Sequence, residues 1–316
     1  MSKKLLISIP CLNEAENLGL LLKEMPQQIN DVSKIDILVI SDGSTDDTGK
    51  IAKNFKTFLI EFMENKGLSA CFQAAVDFAI INQYDYLVTI DGDRQFNPKD
   101  IPLLVAPMAN DGADFTTASR FIDQKLYPQG IPGIKLIGNL LMSKLISLLT
   151  SKKLYDVSCG FRGYSREALL NLNLIGNYTY TQEVILDLSF KLIKIKEVPI
   201  QVHYFTDRKS RIASNLFKYA YKTSFIIFRT FRDYSPLKFF WGIAAVLAIL
   251  ALSFAGVSFK QYFETGAFRG KIWVGILGGF MGVVSILLFM TGMMADMLDR
   301  SRKNQDKILY LLKSKR

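Results

Sequence analysis

The chain has 316 residues, enough for one large domain plus an appendage, and 49% of them are hydrophobic, more than a soluble α/β domain needs. A formal net charge of +10 raises nucleic acid as a partner, but the basic residues gather beside the apolar C-terminal runs, which favours anionic lipid headgroups instead. Three cysteines, Cys11, Cys71 and Cys159, are too few and too scattered for a disulfide framework or a zinc site, and they fit a reducing compartment.

In chain order, Lys3 and Lys4 ahead of an apolar stretch have the look of a signal peptide, but Pro10, Asn13, Glu14 and Glu16 interrupt it too early. The segment reads as a first strand entering a loop. Strands are predicted at Leu5–Ile9, Ile35–Ser41, Thr57–Phe62, Tyr86–Asp91 and Asp114–Ala118, alternating with helices near Ala15–Met25, Asp46–Phe55, Ser69–Ile81 and Lys99–Met108. Such alternation predicts a mainly parallel sheet with helices on both faces, in which ligands bind beyond the carboxyl ends of the strands. At those ends stand Asn13 and Glu14, Asp42 to Asp46, and Asp91 to Gln95. Asp91-Gly92-Asp93 is the most informative of these, because two carboxylates two residues apart beyond a buried strand can hold a hard divalent cation against a diphosphate.

After Arg120 the pattern changes, with helices predicted at Ile134–Leu149, Ser165–Leu170 and Gln182–Ile193 and a strand at Lys196–Tyr204. His203, the single histidine, reads as a packed or edge residue of that strand rather than a catalyst. Arg211–Arg232 is a basic, aromatic amphipathic helix, either packed on the globular domain or lying in a membrane interface. Phe239–Phe259 is a run of 21 residues without a charge, and Ile272–Ala295 is a second run of 24. Each exceeds the roughly 20 residues that cross a bilayer core. The short connection Lys260–Lys271 makes them a hairpin with both flanks on one side. Ten Lys and Arg against three Asp and Glu between Lys191 and Ser235, and a basic tail from Arg300 to Arg316, put those flanks in the cytoplasm. The expected organisation is a cytoplasmic domain over 1–210, a juxtamembrane helix over 211–235, two spans within 236–298, and a cytoplasmic basic tail over 299–316.

Several motifs now read together. Ser8-Ile9-Pro10-Cys11-Leu12-Asn13-Glu14-Ala15-Glu16-Asn17-Leu18 resembles the opening of family 2 glycosyltransferases, and Ser41-Asp42-Gly43-Ser44-Thr45-Asp46-Asp47-Thr48 resembles their second strand-end motif. Asn65-Lys66-Gly67-Leu68, Asp91-Gly92-Asp93-Arg94-Gln95, Ser119-Arg120-Phe121, Ser158-Cys159-Gly160-Phe161-Arg162 and Tyr180-Thr181-Gln182-Glu183 continue the match in order. The resemblance is to the dolichyl-phosphate mannose synthase branch and its bacterial polyprenyl-phosphate glycosyltransferase relatives, over about residues 4 to 235.

That resemblance implies an α/β fold of the glycosyltransferase A type, Rossmann-like, with a two-helix transmembrane hairpin added. It implies inverting transfer of a hexose from a UDP- or GDP-sugar to a polyprenyl phosphate, for cell-envelope glycosylation. Pro10, Asn13, Glu14 and Asp42 would hold the nucleoside, and Asp91, Asp93 and Gln95 would hold Mg²⁺ or Mn²⁺ with the donor diphosphate. Arg120, Lys135, Arg208 and Arg211 would meet the donor and acceptor phosphates. Asp156 or Glu183 would orient the acceptor or sugar hydroxyls, unless either is a structural carboxylate bonded to backbone or to Arg162. A homo-oligomer is compatible with the hairpin.

The chain departs from the family pattern at named positions. Leu12 stands where an aromatic residue is usual, Ser41-Asp42 replaces an acidic pair, and Gly92 replaces Ala. Arg94-Gln95-Phe96 replaces a more apolar or acidic series, and Cys159 replaces Ser. These changes keep the metal triplet and leave the nucleotide open. A processive polysaccharide synthase is disfavoured because no Gln-x-x-Arg-Trp motif is present, and a dinucleotide oxidoreductase because no Gly-x-Gly-x-x-Gly follows the first strand. The alternatives kept are transfer to another membrane lipid or glycan acceptor, and a non-catalytic membrane-anchored nucleotide-binding protein.

Overall fold

The computed structural model describes residues 3–123, 125, 127, 133–174, 180–202, 216–268 and 270–316. It divides into two compact units, Met1–Ile227 with Leu309–Arg316, and Phe228–Ile308.

The first unit is a seven-stranded sheet between two layers of helices. The strands are β1 (Lys3–Cys11), β2 (Val32–Asp42), β3 (Phe58–Phe62), β4 (Tyr86–Thr89), β5 (Phe115–Ser119), β6 (Arg162–Ser165) and β7 (Ile195–Pro199), in the order β3-β2-β1-β4-β6-β5-β7. Leu5, Leu6, Ile7 and Ile9 are all fully buried, as a central parallel strand covered on both faces requires. Side chains alternate between faces, so Leu6, Leu38, Ile40 and Leu87 join one core with α3 (Leu68–Ile81), α6 (Arg166–Asn171) and α7 (Thr181–Phe190). Leu5, Ile7, Ile9, Val39 and Val88 join the other with α1 (Ala15–Lys23) and α4 (Ile101–Asn110). The shorter helix α2 (Thr48–Asn54) follows β2, and α5 (Gly133–Thr150) follows β5.

The strand β6 is the element that sequence patterning does not reveal. It has four residues, pairs antiparallel with both β4 and β5, and fills the gap between them. At its centre a Cβ on Gly163 would collide with the side chains of Thr116 and Met108, so the close approach of α4 to the sheet needs glycine there. Because β6 runs opposite to its neighbours, its amino end lies at the edge where β4 and β5 end. The segment Asp156–Phe161 is thereby delivered to the same edge as the residues following β1, β2 and β4.

After α8 (Leu216–Tyr234), the second unit is built on α9 (Pro236–Thr265) and α10 (Ile272–Ser314), both long and apolar enough to cross a membrane. Proline opens α9 and Gly266, at φ 69°, closes it. Ala244, Ala251 and Ser258 are buried on α9, and Gly278, Ser285 and Gly292 on α10, each set in steps of seven. That spacing keeps small residues on one seam and lets the backbones approach. Ser285 Oγ donates to the Ala244 carbonyl at 2.8 Å, and Trp241 stacks on Phe289 at 4.7 Å. The outward residues, such as Val246, Ile249, Leu252, Phe280, Val283 and Ile286, are apolar and exposed.

The helix α10 is 43 residues long and continues well past the apolar run. Its last turns belong to the first unit, where Tyr310 Oη donates to Glu167 at 2.7 Å and Lys313 Nζ reaches the Leu172 carbonyl and, at 3.0 Å, Asn173 Oδ1. The residues expected to form a basic tail are therefore helical up to Ser314.

Candidate active site

Three loops meet at the carboxyl edge of the sheet. Asn13 follows β1 in a left-handed conformation, φ 53°, which asparagine tolerates better than most residues. Its Oδ1 accepts from Thr45 N at 2.8 Å, and its own N–H donates to Ser44 Oγ at 3.1 Å. The N–H of Glu14 donates to Thr48 Oγ1 at 3.0 Å, and that of Ala15 donates to Asp46 Oδ2, also at 3.0 Å. The loops after β1 and β2 are thus laced together. Pro10, with no N–H for a ladder, stands past the last β1–β4 pair, Ser8 with Thr89. Glu14 is nearly buried and accepts from Asn17 Nδ2 at 2.9 Å. The Asp42 carboxylate is committed to the backbone N–H groups of Lys66, at 2.7 Å, and Gly67, at 2.9 Å, so it fixes the turn into α3.

The triplet lies two residues beyond the end of β4. Gly160 faces it across the sheet edge, where a Cβ would stand 3.2 Å from Asp91 Oδ2. On Gly92 a Cβ would stand 2.8 Å from Cys11 Sγ, which explains why glycine accompanies the cysteine here. Asp93 Oδ1 accepts from Gln95 N at 3.1 Å, and Arg94, in a left-handed conformation at φ 62°, turns outward to Glu24 at 2.8 Å. Burial, and then the charge of Asp93, push the Asp91 carboxyl up to about 7, against the opposing pull of Arg120 and Arg162. Among the described residues no three His, Cys, Asp or Glu side chains gather to form a complete cage. Two carboxylates suit Mg²⁺ or Mn²⁺, which take their remaining ligands from phosphate oxygens and water, and do not suit a structural zinc.

Beside the triplet, Arg120 closes on Asp156. Its Nε donates to Oδ2 at 2.6 Å and its Nη2 to Oδ1 at 2.9 Å, while Nη2 also donates to Ser158 Oγ at 3.0 Å. Ser158 Oγ in turn bonds Asn139 Oδ1 on α5. Glu197 on β7 accepts from Asp156 N at 2.8 Å and from Tyr155 N at 2.9 Å. Burial disfavours charge on Asp156, but the Arg120 charge and the hydrogen bonds of Arg120 and Ser158 outweigh it and hold the carboxyl below its ordinary value. Cys71 and Cys159 are buried and their thiols pushed up to about 12, so neither is a nucleophile.

Residues 6–172 match Glycosyl transferase family 2. The chain belongs to that family. This family 2 glycosyltransferase is 28% identical over 225 residues to a UDP-N-acetylglucosamine–dolichyl-phosphate N-acetylglucosaminyltransferase of Methanococcus voltae, covering 65% of this chain and 88% of that one. It is 27% identical over 224 residues to the polyprenol monophosphomannose synthase of Mycolicibacterium smegmatis, covering 66% and 79% respectively. Among solved structures, glucosyl-3-phosphoglycerate synthase of Mycobacterium tuberculosis, in complex with Mn²⁺, UDP-glucose and phosphoglyceric acid, superposes with a TM-score of 0.57. That likeness, at 17% identity over 72% of this chain and 80% of the other, is one of fold.

Of the residues singled out in the sequence, the structure brings Pro10, Asn13, Glu14, Asp42, Asp91, Asp93, Gln95, Arg120 and Asp156 to one edge of the family 2 domain. Glu183 lies in the first turn of α7. For Lys135 the structure describes the backbone, on α5, but not the side chain. Arg208, Arg211 and His203 lie outside the described residues. Patterning missed Ser158, Asn139 and Glu197 as partners of the Arg120–Asp156 pair, and it missed the burial of Arg162. The Ser-Cys-Gly-Phe-Arg motif was the available signal for the first and last of these.

Proposed function

We propose that this family 2 glycosyltransferase moves a hexose from a UDP- or GDP-sugar to a polyprenyl phosphate at the cytoplasmic face of the membrane, supplying a lipid-linked donor for envelope glycosylation. One observation carries the reading: a carboxylate pair at the carboxyl edge of the sheet and two apolar helices of bilayer length occur in the same chain. The activities for which the two relatives are named, on dolichyl phosphate and polyprenol, support the acceptor class.

In this reading the acceptor phosphate is already ionised at neutral pH, so no strong base is required. One of its oxygens attacks the anomeric carbon, the bond from that carbon to the diphosphate oxygen breaks, and the nucleoside diphosphate leaves. Attack from the opposite face inverts the anomeric configuration. Asp91 and Asp93, with Gln95, would hold Mg²⁺ or Mn²⁺, which when bound neutralises charge on the leaving diphosphate. Pro10, Asn13, Glu14 and the loop fixed by Asp42 would shape the nucleoside pocket. Arg120, immobilised on Asp156, would present a fixed positive charge to phosphate, and Lys135, Arg208 and Arg211 would complete the acceptor side. The charge flanking α9 and α10 supports a cytoplasmic position for both termini.

The test is incubation of the purified protein with polyprenyl phosphate and a panel of nucleotide sugars, with the lipid product identified by mass spectrometry. A hexosyl phospholipid is expected. Transfer only to a glycan or to a lipid without phosphate would replace the acceptor assignment.

A further inference from the structure

Arg162 is the largest fully buried side chain of the catalytic unit, with 0% of its surface exposed. Its guanidinium donates through Nη1 to the Thr181 carbonyl at 2.7 Å and through Nη2 to the Val157 carbonyl at 3.2 Å, while Nε has no partner among the described residues. It lies over the rings of Phe115 and Tyr180, at 5.6 and 6.0 Å. Among the described residues no carboxylate closes a salt bridge with it. A buried charge without a near counter-ion is strongly destabilising, so its retention calls for an opposite charge elsewhere.

The sheet register shows where that charge is. Arg162 on β6 pairs with Thr89 on β4, and the strands are antiparallel. Continuing the register two residues along, Gly160 comes opposite Asp91, which the 3.2 Å approach of a Gly160 Cβ to Asp91 Oδ2 bears out. Residues two apart on a strand share a face, so Arg162 is the diagonal neighbour of Asp91, about 7–8 Å away by the usual spacing. The two carbonyl bonds of Arg162 also tie it to the segment carrying Asp156 and Ser158 and to the start of α7.

We propose that Arg162 is a positioning residue whose buried charge balances the Asp91–Asp93 pair and holds both flanking segments around it. This rests on reading the pair as cation ligands, and two measurements separate that reading from the role of Arg162. The first is Mn²⁺ binding without nucleotide, followed by loss of the free-ion electron paramagnetic resonance signal. Arg162→Gln keeps donors but loses the charge, so it should bind Mn²⁺ about ten-fold more tightly, since a cation close by no longer repels the incoming one. Arg162→Lys, which keeps the charge, should stay within about two-fold of wild type on the same reasoning. A merely structural role would weaken Mn²⁺ binding in both variants, and that result would overturn the proposal. Absence of Mn²⁺ binding in wild type would instead count against the ligand reading.

The second measurement needs no metal. Arg162→Gln removes one of the two positive charges that act on Asp91, the other being Arg120, so its loss of thermal stability should shrink when Asp91→Asn is added. Should Arg162→Gln alone fail to fold, the double variant should fold. Additive losses, or a double variant that also fails to fold, would overturn the proposal.

Discussion

Arg120 and Asp156 form a two-point ion pair, at 2.6 and 2.9 Å, in which the Asp156 side chain is fully buried and the Arg120 side chain 12% exposed. The fork that would otherwise be free to grip a phosphate is spent on the protein itself. Toward a phosphate at this edge Arg120 would thus present a fixed charge rather than a mobile clamp. Removing one partner of such a pair costs about 3–5 kcal/mol, because the other is left buried and uncompensated. Asp156→Ala is accordingly expected to destabilise the catalytic unit by about that amount, measured by urea unfolding.

The same pair sets a pH dependence. The folded Asp156 carboxyl lies below its ordinary value, so its stabilisation is complete above the unfolded value of about 3.9 and is lost as pH falls through the folded one. The stability gap between wild type and Asp156→Asn should be level from about pH 8 to about pH 5 and close only in stronger acid. A gap that widens as pH falls would contradict the pairing.

Gly92 and Cys11 are expected to be coupled. A Cβ at position 92 falls 2.8 Å from Cys11 Sγ, so Gly92→Ala should cost about 1–3 kcal/mol through overpacking. Adding Cys11→Ala removes the sulfur and should recover most of that loss. Simple additivity in thermal melts would show that the two residues do not meet.

The hairpin offers a chemical ruler. A Cβ on Gly275 would stand 3.5 Å from Ser258 Cβ, at the short end of the range that a disulfide spans. Ser258→Cys with Gly275→Cys should form an intramolecular disulfide on mild oxidation, detected by mass spectrometry of a tryptic digest. Failure to cross-link would contradict the seam of Ala244, Ala251 and Ser258 against Gly278, Ser285 and Gly292.

Much of this molecule is legible in its sequence, and the exceptions share a cause. Central strands such as β1 and β4 announce themselves because a strand buried on both faces must be apolar throughout. The strand β6 does not, since Arg162-Gly163-Tyr164-Ser165 has no alternation and owes its extended form to the gap between β4 and β5. Asp91 and Asp93 are visible as a local spacing. The partnership of Arg120 with Asp156 spans 36 positions, and only the fold brings the two together. The Ser-Cys-Gly-Phe-Arg motif marks Arg162, but its polarity pattern does not tell a guanidinium destined for the core from a solvated one. The apolar run of α10 marks the span, but its polar continuation to Ser314 shows only in the structure.

The orientation in the membrane is checked by thiol labelling of Glu264→Cys and Lys315→Cys in a background without the native cysteines. An impermeant reagent applied to intact cells is expected to reach position 264 and not 315. The reverse pattern would place the catalytic unit outside.

In the proposed function the carboxylate pair supports cation-dependent transfer to a lipid phosphate. The most direct measurement is the rate of hexosyl-phospholipid formation by wild type and Asp93→Asn, with Mn²⁺ and with excess chelator. Wild type with Mn²⁺ should turn over, while Asp93→Asn and chelated wild type should each fall by at least about 100-fold, as loss of a group that stabilises developing charge entails. Full turnover by Asp93→Asn, or by wild type in excess chelator, would contradict it.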